Sequence, residues 1–181
     1  MLWIIPAVII VIILIVAIWA ISASNRFKVL LVKIKEADSG IDVALTKRYD
    51  TLTKLIDVVK AYAKHETEVF EKIVELRSGM SVAEKNAVNQ QMDAAAKQIS
   101  LIAENYPELR SAENYNQLQA AIVEAEDHLQ AARRVYNMNV SSFNQAIAVF
   151  PSSIIAGAAH YTARDFFEAE EIKRSDVKID L

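Results

Sequence analysis

Metal chemistry in this chain of 181 residues would fall to His65, His128 and His160, its only histidines. A carboxylate-bridged di-iron bundle needs Glu-x-x-His on two helices. Tyr62 and Ala125 stand three residues before His65 and His128, so the motif fails at both. His65-Glu66 also lacks the second histidine of His-Glu-x-x-His. Glu124 with His128, and His65 with Glu68, share helix faces at spacings typical of solvated surface pairs. Cysteine is absent, which excludes disulfides, thiolate metal sites, cysteine nucleophiles and an acylated lipoprotein anchor. Gly40, Gly79 and Gly157 are the only glycines, too few and too far apart for a phosphate-cradling loop or a nucleophile elbow. No enzyme activity and no cofactor are expected on these residues. A net charge of −3 supplies no basic excess for nucleic acid.

Three other polar residues stand out by position rather than by type. A heptad seam runs from Phe27, with a-like positions Phe27, Ile34, Ile41, Arg48, Leu55, Tyr62, Val69 and Leu76. Its d-like positions are Leu31, Asp38, Leu45, Leu52, Val59, Glu66 and Ile73. Only Asp38, Arg48 and Glu66 interrupt it, and chance would leave only about eight of these positions apolar. Such residues suit either an ionic lock or ion path, or register control by charged partners on neighbouring helices; register control is the favoured reading.

The elements that position these residues are long helices. Three glycines and three prolines are too few for the turns of a β-rich or α/β fold. The first helix is predicted over residues 26–77, about 80 Å of chain, closed by Gly79 as a left-handed cap. Gly40 lies inside it as a soft point or a place of close approach. Ser81 to Glu84 spells a capping box for a second helix over 82–106, which Pro107 stops. A third helix over 111–150 has a-like positions Leu118, Ala125, Ala132, Asn139 and Ala146 and d-like positions Ile122, Leu129, Tyr136, Phe143 and Phe150; alanines at one register and large residues at the other allow close helix approach. Residues 26–150 form the predicted bundle, with its main core between the first and third helices. Residues 151–181 form an apolar strip followed by a charged, frayed tail.

Residues 1–25 carry no charged side chain, whereas all 20 basic and 23 acidic residues follow. The run from Leu2 to Ile21 makes a helix of about 30 Å, enough to span a bilayer. Trp3 and Trp19 mark its two ends as interfacial anchors, and Pro6 falls in the first turns where a missing N–H costs little. A cleaved signal peptide is the competing reading, with Ala20-Ile21-Ser22 as its cleavage site, but the apolar run is long and nothing basic precedes it. A buried soluble-core helix would be shorter. Arg26, Lys28, Lys33 and Lys35 follow the run, so the positive-inside rule places the body in the cytoplasm and the N-terminus outside. A periplasmic or extracellular body is the alternative. These four cations also suit anionic lipid headgroups.

Four blocks in order carry a family resemblance: Gly40–Glu66 (GIDVALTKRYDTLTKLIDVVKAYAKHE), Ala103–Gln119 (AENYPELRSAENYNQLQ), Ala132–Asn137 (ARRVYN), and Phe150–Gly157 (FPSSIIAG) with Asp165–Glu171 (DFFEAEE). They resemble the LemA family over nearly the whole chain. One departure is Leu52-Thr53-Lys54, where the family has Ile-Pro-Asn, which implies a straighter first helix. The resemblance implies an all-α bacterial protein: a single inner-membrane helix, then a long antiparallel bundle of three helices with a short C-terminal helix or strip. It implies no established activity. One branch of the family is associated with the magnetosome membrane, which suggests membrane organisation as a theme.

Two functions follow as expectations. The first is a non-enzymatic scaffold that self-associates and organises or shapes the membrane, its partners being lipid and further copies of the chain. The apolar strip would supply its contacts through Ile154, Ile155, Tyr161, Phe166 and Phe167. The second is an anchored adaptor or regulator of an unidentified protein, such as a membrane protease or signalling protein. A strip folded back as a fourth helix over its own bundle would remove the basis of the first.

Overall fold

The protein is described by a computed structural model over residues 3–63 and 79–167. It is all-α, with no strand among the described residues. In chain order the helices are α1 (Ile4–Tyr62), α2 (Val82–Asn105), α3 (Pro107–Ser111), α4 (Glu113–Ala148) and α5 (Ser152–Ala158). The first helix was expected to reach Arg77; as described it ends at Tyr62, and residues 64–78, with Glu66 and His65, lie outside the described residues.

The ends of the elements follow from local chemistry. Ser81 caps α2: its Oγ accepts from the Glu84 N–H, and the Glu84 carboxylate accepts from the Ser81 N–H at 2.7 Å. Before it, Gly79 sits at φ 81°, a left-handed conformation in which a side chain would be strained. Pro107 ends α2 but opens α3, since proline suits a first helical turn. At the far end, Pro151 disfavours helical geometry at Phe150. Accordingly α4 stops at Ala148, the Ser152 hydroxyl donates to the freed Ala146 carbonyl at 2.7 Å, and the Ser153 N–H donates to the Val149 carbonyl at 2.9 Å. This overturns one expectation. The heptad register places Phe150 in the core, yet the helix that carries the register has ended and Phe150 is 81% exposed.

The chain divides into two compact units, Met1–Ser39 with Val135–Asp165, and Gly40–Arg134 with Phe166–Leu181. In the first, α1 buries Phe27, Ile34 and Ala37, and α4 buries Tyr136, Val140, Phe143 and Ala146 at helical spacing. α5 ends in a left-handed residue, His160 at φ 54°. Its N–H donates to the Gly157 carbonyl, and the Tyr161 N–H donates to Ala156, a Schellman closure with histidine where glycine is usual. The turn sends Tyr161 back onto Phe27 and Phe143, edge to face at 5.4 and 6.0 Å between ring centres. Asn144 then clamps the extended segment, donating to the Arg164 carbonyl (2.9 Å) and accepting from the Arg164 N–H (2.8 Å).

In the second unit Leu52, Leu55, Ile56 and Val59 of α1 pack with Val88, Met92, Ala95, Ile99 and Ile102 of α2, and with Tyr115 and Ile122 of α4. The expected pairing of the first and third helices therefore understates α2, which contributes the longest stripe of this core.

Candidate functional site

Arg48 is the hub of the second unit's polar chemistry. It projects from α1 with its side chain 5% exposed. Its guanidinium donates to the carboxylate of Asp93 and the side-chain oxygen of Asn89, both on α2, and pairs with Glu126 of α4 at 3.2 Å. Asn89 also donates to Asp93 at 3.2 Å. Three helices thus meet through one planar cation, whose fork suits several acceptors at once. One cation against two carboxylates leaves a net negative cluster, and both carboxylates keep an edge in water. That arrangement fixes helix register; it places no nucleophile beside a base.

A second link was missed by sequence reasoning. Lys85 of α2 is buried, with Nζ 2.7 Å from the Asp42 carboxylate of α1. The signal was present: Lys85, Asn89 and Met92 are spaced four and three apart, so the stripe of α2 extends back through two polar residues. On the surface, Lys47 pairs with Glu124 at 2.8 Å, and His128 approaches the same carboxylate at 3.4 Å. Hydrogen bonding and charge from Lys47, then His128, hold the Glu124 carboxyl below its ordinary value. Of the other predicted seam residues, Asp38 is half-buried in the first unit and Glu66 falls outside the described residues.

The C-terminal strip does not behave as one surface. Tyr161 is packed between rings, and Phe167 is buried beneath the Arg133 guanidinium at 4.8 Å. Ile155 is half-buried, while Ile154 is 61% and Phe166 47% exposed.

At the other end of the first unit, the apolar run of α1 is long and apolar enough to cross a membrane, and none of it is buried within the chain. Trp3 is exposed at its start and Pro6 lies in its first turns. Just past its far end Arg26, Lys28, Lys33 and Lys35 are all exposed, and the Lys33 carbonyl accepts from Asn139 of α4 at 3.2 Å. A groove of about 300 Å³ opens here, with Trp19, Ser22 and Arg26 on one wall and Val149, Phe150 and Ser152 on the other. Among the described residues, no group of three or more histidine, aspartate or glutamate side chains is arranged to hold a metal ion.

The LemA family model matches residues 37–181, which takes in α2 to α5 and residues 37–62 of α1. The chain belongs to the LemA family. Protein LemA of Metamycoplasma hominis is 31% identical over 150 residues, covering 80% of this chain and 68% of that protein. The LemA match begins at Ala37, so the charge-free N-terminal run lies before it and is read from its own composition. Both interhelical ion networks, around Arg48 and at Lys85, fall inside the matched LemA region.

Proposed function

We propose that this LemA-family protein is a non-catalytic, membrane-anchored helical scaffold that self-associates in the plane of the inner membrane, its body on the cytoplasmic side. The observation that carries this reading is the continuity of α1. None of its most apolar stretch is buried inside the chain, yet the same helix passes without a break into buried positions at Phe27 and Ile34. A helix that leaves an apolar span bare while its next turns are packed is built to hold a body against a bilayer. The charged side chains of the second unit support the non-catalytic part, because Arg48, Lys85, Asp42, Asp93 and Glu126 are consumed in links between helices. Self-association rests on Ile154 and Phe166, large apolar residues left in solvent. Confinement to a membrane raises the effective concentration of neighbouring chains, so modest contacts suffice.

Light scattering of the full-length protein in mild detergent tests this. The expected mass is a fixed multiple of 20.2 kDa, reduced by Ile154→Ser with Phe166→Ser. A strict monomer ends the self-association reading, and a different protein bound in fixed stoichiometry replaces it with the adaptor reading.

A further inference from the structure

The corner between α4 and α5 is anomalous for a surface in water. Val149 is 55% exposed and Phe150 81% exposed, side by side. Around them the sequence from Val135 to Ala163 contains no aspartate, glutamate, lysine or arginine. Exposed apolar residues are ordinarily scattered among charges; here their own stretch of chain carries none, and the charge lining their groove is Arg26 of α1. The corner's height along α1 is also defined. It faces the groove whose other wall is Trp19, Ser22 and Arg26, the turns where the apolar run gives way to the first cation. Indoles settle at the headgroup level of a bilayer, and an arginine one or two turns further settles among the phosphates. Whatever depth Trp19 and Arg26 take, the corner takes with them.

We propose that the Val149–Phe150 corner is a second membrane contact, dipping into the headgroup–acyl boundary beside Trp19, with Arg26 holding a lipid phosphate at the mouth of the groove. The inference rests on the membrane-spanning reading of α1. The two side chains would bury their apolar area among the upper acyl carbons, as interfacial elements do. Arg26 offers a planar fork that matches a phosphate, so an anionic phospholipid is favoured over a zwitterionic one. The two contacts, one spanning and one interfacial, would restrict tilt and rotation of the first unit against the membrane.

The native chain has no cysteine, so a single introduced thiol can be spin-labelled without background. Full-length variants Val149→Cys, Ile12→Cys and Gln91→Cys are reconstituted in vesicles of phosphatidylethanolamine and phosphatidylglycerol. Collision of each label with oxygen, which partitions into lipid, is compared with collision with a water-soluble nickel chelate. Gln91 lies on an exposed face of α2 and serves as the aqueous reference. The label at position 149 is expected to show an oxygen-to-nickel ratio several-fold above that at 91 and below that at 12. Adding Phe150→Ser lowers the ratio at 149. In vesicles of phosphatidylcholine alone the ratio also falls, and Arg26→Gln removes that dependence on lipid charge. A label at 149 as wet as that at 91, with position 12 deep in lipid, overturns the proposal while leaving the spanning helix intact. Position 12 exposed to nickel overturns the spanning reading itself. Protection of position 149 from both reagents means that protein covers the corner, a second copy included, and the proposal fails. Persistence of the lipid-charge dependence in Arg26→Gln overturns the role given to Arg26.

Discussion

Arg48 carries more consequence than any other single residue. Removing the cation leaves the Asp93 and Glu126 carboxylates facing each other with no counter-charge, a larger loss than the pair's own contribution. Arg48→Met is expected to cost about 3 kcal/mol, at the low end for a broken buried pair because both carboxylates reach water. Replacing all three residues by apolar ones should recover most of the loss, and urea denaturation of the two variants beside the parent protein measures both effects. Glu124 gives a quieter test. Its lowered carboxyl value means that its pairing with Lys47 favours folding above the ordinary carboxylate range and is lost as pH falls through the lowered value. In Lys47→Met the carboxyl should titrate higher, which a carbon-detected NMR titration reads directly. Arg48 was legible in the sequence because a charge in an apolar seam breaks a period. Lys85 and Asn89 were not, because their stripe begins with polar residues and a period is counted from apolar ones.

At the scale of elements, periodicity and caps were the legible features and connections were not. The capping box at Ser81 and the helical spacing of α2 are where the sequence puts them. Phe150 was misplaced because a heptad count runs on past the point where a proline has ended the helix. The turn at His160 was invisible for a related reason: a left-handed cap is expected at glycine, and nothing in the identity of a histidine announces it. Gly40 resolves against one of its two expectations, the close approach. It sits within α1, and a methyl group built on it meets no atom within 4 Å, so no close approach requires it. Gly40→Ala should therefore stabilise the protein by about 0.5–1 kcal/mol, by reducing the freedom of the unfolded chain. A rise in thermal midpoint with unchanged circular dichroism checks it; a fall would mean that the glycine is needed for a bend.

For the molecule as a whole, orientation in the membrane is the open variable with the simplest test. By the positive-inside rule, the four cations after the apolar run predict a body on the cytoplasmic side. Ser111 is exposed, so a cysteine there should resist a membrane-impermeant thiol reagent in intact cells and react after permeabilisation. Labelling without permeabilisation would reverse the orientation. Family membership and the all-α fold were readable from four sequence blocks and two scarce residue types. The placing of the C-terminal strip was less so, because an apolar strip looks the same in sequence whether it packs on its own chain, as Tyr161 and Phe167 do, or remains in solvent, as Ile154 does.

The bare corner at Val149 and Phe150 also bears on how the protein can be handled. A shortened form that begins after residue 25 sheds the whole charge-free run of α1, and on composition alone it should be freely soluble. It would still display an exposed phenylalanine and valine with Arg26 as the one charge lining their groove, and it would have lost Trp19 from beside them. Such a form should precipitate or form concentration-dependent clusters at low salt, and removing the anchor alone will not cure it. Serine at both positions, or a lysine at 150, is the change that should make the body well behaved in water.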